Sequence, residues 1–202
     1  MTVEKELVLA SQSVSRARIL KNAGFTFHIV PAHVDEDEIK QSLLAMKAPA
    51  RDAATALAEL KATRISTRVP GAFVIGADQI LECGGIWFDK PGDMEHARAH
   101  LLALKGRMHR LANAVAIAKD GAVIWRHVDI ARLTMRSFDA TFLDDYLARA
   151  GDDILNSVGA YHLEGLGAHL FSRVEGDFFS ILGLPLLPLL DFLRGHKIGL
   201  TS

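Results

Sequence analysis

Cysteine is nearly absent: the 202-residue chain has one, Cys83, alongside six prolines, two tryptophans and two tyrosines. A lone cysteine closes no internal disulfide, so a disulfide-stapled scaffold is excluded and a reducing compartment, the cytoplasm, is expected. Excess charge of either sign is missing too, since 23 Lys+Arg against 24 Asp+Glu leave a net charge of −1. Without a positive field to track a polyanion, nucleic acid is not an expected partner. Long apolar runs are also lacking. The stretch Ile181 to Leu190 is broken by Gly183, Pro185 and Pro188, and a bilayer span needs about 20 apolar residues. The first ten residues set Glu4, Lys5 and Glu6 before a short apolar run, unlike a secretory signal, so no membrane association is expected.

What the chain does have is apolar content, 50% of its residues, enough for one domain with a substantial core. Leu7 to Ala10 reads as a strand, followed by the polar loop Ser11-Gln12-Ser13 and a helix carrying Ile19, Leu20 and Ala23, with Gly24 as its stop. Phe27 to Val30 is a second short strand. From Ala50 to about Thr67, Ala53, Ala54, Leu57, Leu60, Ala62 and Ile65 predict a long helix with Asp52 as N-cap. Phe73 to Leu81 is an apolar strand containing Gly76 and Asp78. After it come a helix bearing Ala97, Leu101, Leu102 and Leu104, then a hairpin of His109–Ala118 and Val123–Thr134. A helix over Asp139–Ala150, a strand near His169–Val174 and a terminal helix around Pro185–Arg194 complete the chain. The expected fold class is α/β with a mixed sheet.

Several features could carry chemistry. The loop Ser11-Gln12-Ser13-Val14-Ser15-Arg16 stands between a strand and a helix, where hydroxyls, backbone N–H groups and the helix dipole can hold an anion and Arg16 can add a two-pronged contact. It lacks the glycines and the Gly-Lys-Ser/Thr ending of a Walker loop; a serine cap beside a surface arginine would look the same. Asp78 is a carboxylate inside an apolar strand, so it must be paired, metal-bound or placed at an open strand end, and there it could ligate a cation or take a proton from water. Lys61 and Lys90 are flexible point charges suited to polyphosphate, although most lysines are merely solvated. Glu36, within the acidic run Asp35–Glu38, could supply a second metal-ligating carboxylate or a wet surface. His96 and His100 share a helix face at zinc-binding spacing, but Ala97 stands where a zinc protease has its glutamate and no third ligand follows. Cys83 has no cysteine partner and reads as structural.

In order along the chain, Leu9-Ala10-Ser11-x-Ser13-x-x-Arg16, Val34-Asp35-Glu36, Leu57-Ala58-x-x-Lys61-Ala62, Gly76-Ala77-Asp78-Gln79 and Lys90-Pro91 resemble the Maf family of nucleoside triphosphate pyrophosphatases. The likeness continues through Gly106-Arg107-x-His109, Gly159-Ala160-Tyr161, Glu164-Gly165-x-Gly167 and Gly183-Leu184-Pro185-Leu186. The resemblance implies a mixed central sheet flanked by helices, a single domain of two lobes over 1–202, and a nucleotide cleft between the lobes. It also implies hydrolysis of a nucleoside triphosphate to its monophosphate and pyrophosphate with Mg²⁺ or Mn²⁺, and a homodimer. By the same match Asp78 is the proton acceptor, Lys61 and Lys90 act with it, and Ser11, Ser13 and Arg16 hold phosphate. Asp78 and Glu36 are the implied metal ligands.

Base preference is implied at Ser15, Gln79 and Glu164. Members acting on dTTP or UTP have Arg, Thr and Gln there; those acting on 7-methyl-GTP have Gln and Glu at the last two, so this chain leans to the methylguanine branch. An ionised Glu164 offers only acceptors, suited to the donors of a guanine edge, whereas glutamine offers a donor and an acceptor, suited to uracil. Ser15 fits neither branch, Val14 replaces the usual proline, and Asn113-Ala114 stands where many members have Thr-Gly. The alternatives are a dTTP/UTP pyrophosphatase of the same family and a nucleotide-binding regulator of septum formation, a role with which the family is also associated.

Overall fold

A computed structural model of the chain describes residues 6–200. Its seven strands are β1 (Leu7–Leu9), β2 (His28–Ile29), β3 (Phe73–Cys83), β4 (Ile86–Phe88), β5 (Met108–Lys119), β6 (Ala122–Met135) and β7 (Phe171–Glu175). Among the described residues, seven α-helices flank them: α1 (Val14–Asn22), α2 (Glu36–Ala45), α3 (Ala50–Ser66), α4 (Met94–Leu104), α5 (Ala140–Ala150), α6 (Phe178–Ile181) and α7 (Leu186–Gly195). The strands form one mixed sheet in the order β2-β1-β3-β5-β6-β7, with β4 paired to β3. This is the expected α/β class.

One edge of β3 is shared, and that division creates the site. β5 pairs antiparallel with β3 from Val74 to Glu82. On the opposite edge β1 runs parallel beside Phe73–Ile75, and β4 lies antiparallel beside Leu81–Cys83. Among the described residues, 76–80 of β3 therefore have no strand neighbour on that edge, and the sheet opens beside Asp78.

Alternation along β3 sends even residues toward α3 and odd residues to the other face. Small residues let α3 approach closely: Ala53, Ala54, Ala58 and Ala62 pack against Ala112, Ala114, Ala116 and Ala118 of β5. At Gly76 the approach is closest, since a Cβ there would lie 2.2 Å from the Ala58 carbonyl oxygen. On the other face, α1 and α7 cover the first half of the sheet through Ile19, Leu20, Leu189 and Leu193. Beyond it, α4 and α5 bury Leu101, Leu104, Leu143 and Leu147 against Leu81, Leu111 and Leu133.

Several local expectations need correction. Asp52 does not cap α3; the helix begins at Ala50 with Pro49, in extended conformation, at the N-cap and no side-chain cap, and Asp52 sits in the first turn, where its charge suits the helix dipole. Leu60 and Leu102 lie on exposed helix faces, 38% and 50% accessible. The strand expected from His169 starts at Phe171, because Leu166–Leu170 forms a 3-10 turn. The acidic run is a helix start: Asp35 accepts from the Glu38 N–H and the carboxylates sit at the positive end of α2. Among the described residues no helix is long and apolar enough to cross a membrane.

Candidate active site

A cleft of about 1020 Å³ opens where the sheet splits. Its walls are the β1–α1 loop, the start of α2, the middle of β3, the segment after β4, and residues 156–164 and 181–183. The ten residues expected from sequence all line it: Ser11, Ser13, Ser15, Arg16, Glu36, Lys61, Asp78, Gln79, Lys90 and Glu164.

The phosphate-loop and serine-cap readings coexist. Ser13 caps α1 by accepting from the Arg16 N–H, which turns the helix N-terminus toward the cleft. The Arg16 guanidinium donates from Nε to the Gly183 carbonyl at 2.8 Å and from Nη1 to Ser11 Oγ at 3.2 Å. Neither partner is anionic, and Arg16 makes no ion pair among the described residues, so its charge stays available. Burial pulls its pKa down, and the charges of Asp78 and Glu36 partly offset this.

Asp78 is 4% exposed. Its Oδ1 accepts from Lys61 Nζ at 2.7 Å, and the same ammonium holds Glu36 Oε1 at 2.7 Å. Lys61 reaches Asp78 because α3 lies against the Gly76 backbone two residues earlier on the same face. Asp78 Oδ2 is buried with no hydrogen-bond partner among the described residues. A buried carboxylate oxygen left bare costs free energy that a water, a cation or a substrate proton can recover. Burial opposes ionisation of Glu36 but is outweighed by Lys61, Lys40 and Arg16, so its pKa falls.

Two cationic groups complete the cleft. Lys90 is exposed and has no ion pair among the described residues; burial depresses its pKa, and so do the like charges of Arg16, Lys61 and Lys40. Cations left unneutralised around one cleft define an anion site. The other group, Lys40, was not singled out from sequence. It pairs with Asp89 at 2.6 Å, and its pKa is raised because Asp89, Asp78 and Glu36 outweigh its burial. Lys40 stands four positions after Glu36, one helical turn along α2, so reading Asp35–Glu38 as a helix start would have placed both on one face.

On the other side of the cleft, Glu164 Oε1 pairs with Arg18 at 2.6 Å. This engages one of the two oxygens expected to face a base and ties the loop after Tyr161 to α1. Tyr161 is held to the buried His109 by a 2.8 Å hydrogen bond, and Ser157 Oγ donates to the Tyr161 carbonyl at 2.6 Å. The zinc reading of His96 and His100 gains nothing from the structure: His96 Nδ1 lies on Asp93 at 2.8 Å and His100 packs edge-on against Phe88. No group of three or more His, Cys, Asp or Glu side chains gathers to hold a metal among the described residues. Cys83 is buried, with its thiol pKa pushed up by burial, which leaves it inert.

The family model for Maf-like protein matches residues 6–196. The chain is 57% identical over 188 residues to a nucleoside triphosphate pyrophosphatase of Paramagnetospirillum magneticum, covering 93% of this chain and 96% of the relative. A nucleoside triphosphate pyrophosphatase of Granulibacter bethesdensis is 54% identical over 192 residues, covering 95% and 98%. A 7-methyl-GTP pyrophosphatase of Brucella abortus is 50% identical over 197 residues, covering 98% of each chain.

Proposed function

The chain belongs to the Maf-like protein family, and from that premise we propose that it is a nucleoside triphosphate pyrophosphatase that prefers a guanine base, 7-methyl-GTP first among candidates. The observation that carries the reading is Asp78 Oδ2, buried and unpartnered at the split of the sheet, in a cleft lined by Arg16, Lys40, Lys61 and Lys90. A binding module has no use for a bare carboxylate beside a polyphosphate; a hydrolase does.

In this mechanism a water oxygen attacks the α-phosphorus while the bond from that phosphorus to the α,β-bridging oxygen breaks. The water proton passes to Asp78, and the electron pair leaves with pyrophosphate. Lys61 fixes Asp78 through Oδ1, which keeps Oδ2 directed away from the ammonium. Arg16, Ser11, Ser13 and the α1 N-terminus hold the phosphate chain, and Lys90 meets the charge growing on the leaving oxygens. Lys40 adds to that positive wall.

The carboxylates at the cleft suit a hard divalent cation such as Mg²⁺ or Mn²⁺, which Glu36 and Asp78 would hold. When bound, it supplies charge neutralisation on the triphosphate. Guanine preference rests on the acceptors offered by Glu164 and Gln79, and the 7-methyl-GTP pyrophosphatase among the relatives supports it.

The test is pyrophosphate release from 7-methyl-GTP, GTP, UTP, dTTP and CTP with Mg²⁺ or Mn²⁺, comparing wild type with Asp78→Asn. Turnover by wild type and a loss of about 10²–10⁴-fold in the variant are expected. Equal rates in the two proteins would remove Asp78 from the chemistry. Binding without turnover by wild type would favour the regulator.

A further inference from the structure

We infer that Asn113, a buried residue outside the lining of the cleft, determines base specificity by locking the side-chain amide of Gln79. The inference rests on the proposed nucleotide reading.

Gln79 and Asn113 are register partners on β3 and β5, and both point to the face opposite α3. Gln79 Nε2 donates to Asn113 Oδ1 at 2.7 Å and to the Ile181 carbonyl at 3.0 Å, with the Ser180 carbonyl at 3.5 Å. Backbone carbonyls only accept, so the end of the Gln79 amide that faces α6 must be the NH₂. Asn113 in turn is fully buried and donates from Nδ2 to the Leu111 carbonyl at 3.3 Å, which leaves Oδ1 toward Gln79. Each choice forces the next. Rotating either amide by half a turn would set carbonyl oxygen against carbonyl oxygen in a buried site.

With its NH₂ occupied, Gln79 can present only Oε1 to the cleft. A Cβ on Gly183 would lie 3.9 Å from that oxygen and 3.7 Å from Arg16 Nε, so Oε1 sits beside Gly183 and the Arg16 guanidinium, three residues that share one wall of the cleft. The wall therefore shows an acceptor, and Glu164 adds a second. Guanine meets acceptors with its N1–H and N2 amino donors; uracil has one N–H between two carbonyl oxygens and meets them poorly.

The lock has its own support. Asp129, the register partner of Asn113 on β6, accepts from Ser180 Oγ at 2.7 Å, and Asp177 accepts from the Ser180 N–H at 2.8 Å. These contacts hold α6 where the Ile181 carbonyl reaches Gln79. Asn113 is thus a positioning residue, and its effect travels through Gln79.

The experiment is a double-mutant cycle. Affinities for the α,β-methylene analogues of GTP and UTP are measured for wild type, Asn113→Leu, Gln79→Thr and the double variant, with pyrophosphate release from GTP and UTP alongside. Asn113→Ser replaces Asn113→Leu if the latter does not fold. The expected result is a GTP/UTP affinity ratio that falls about tenfold in Asn113→Leu, the worth of one buried hydrogen bond, and does not change further when Gln79 is already threonine. An unchanged ratio, or an equal fall in both backgrounds, overturns the inference, because a merely structural role would act without Gln79. Analogue binding by wild type without pyrophosphate release refutes the proposed function, and the affinity ratio still decides the role of Asn113. Failure of wild type to bind either analogue overturns both.

Discussion

Replacing Gly76 by alanine adds one methyl group at the point where α3 touches the sheet. A Cβ there would lie 2.2 Å from the Ala58 carbonyl oxygen, 2.6 Å from the Ala62 nitrogen and 2.9 Å from the Ala62 Cβ. The first two neighbours are backbone atoms, and no side chain can swing aside to make room, so α3 must retreat from β3 by about 1 Å. Overpacking of this kind costs about 3 kcal/mol, at the upper end of its range because the obstacle is rigid, and in a protein of this size lowers Tm by roughly 6–12 °C. The same movement carries Lys61 away from Asp78, stretching their 2.7 Å contact, and a misplacement near 1 Å can cost about 10²-fold in turnover. Urea unfolding and steady-state pyrophosphate release on the same preparation give both numbers, with Gly92→Ala, where nothing lies within 4 Å, as the neutral control. A Gly76→Ala protein with stability within about 0.5 kcal/mol of wild type and undiminished turnover would refute the idea that close contact at Gly76 sets the Lys61–Asp78 pair.

Two further outcomes are expected. Lys61→Met removes the shared cation and leaves Asp78 buried and unpaired, so urea unfolding should show a loss of about 3–5 kcal/mol, much of it recovered when Asp78→Leu is added. Lys61 contributing nothing measurable would mean that water already reaches the pair. His109 is completely buried, and desolvation pushes its imidazole pKa down to about 4. The unfolded chain binds a proton there near pH 6.5 and the folded chain does not. Stability from this group is therefore full above that pH and falls by on the order of 3 kcal/mol as pH drops to about 4. Unfolding curves between pH 7.5 and 4 should lose that slope in His109→Phe, and an unchanged slope would assign the acid sensitivity elsewhere.

Much of the fold was legible in the sequence because periodicity and punctuation report local geometry. The Ala50–Ser66 helix, the β5–β6 hairpin and the α5 helix after Asp139 follow from side-chain spacing and turn residues alone, with boundaries shifted by a few residues. The reading failed where local signals compete. Asp35, Asp37 and Glu38 are the solvated charge that an acidic run suggests and Glu36 turns into the cleft, but that the run opens a helix is not marked by any fully buried apolar stripe; Asp52 offers a cap side chain, whereas the start set by Pro49 has none.

Residue type and resemblance mark the ten candidate residues, and a carboxylate within an apolar strand by itself marks Asp78. Their relation to one another was a matter of tertiary structure. Whether Asp78 would be paired or bare depended on two elements meeting it: it is both, with Lys61 on Oδ1 and nothing on Oδ2. Lys40 joined the cleft only because α2 folds over Asp89. The direction of the Gln79 amide is written nowhere near residue 79, since it is dictated by the carbonyl of Ile181, about a hundred residues away, and by Asn113 on the neighbouring strand. Sequence by itself determined which groups exist and which backbone shapes they favour, because those preferences act within a few residues. Burial, pairing and the free face of each polar group were decided by contacts between distant segments, which exist only once the sheet has formed and split beside Asp78.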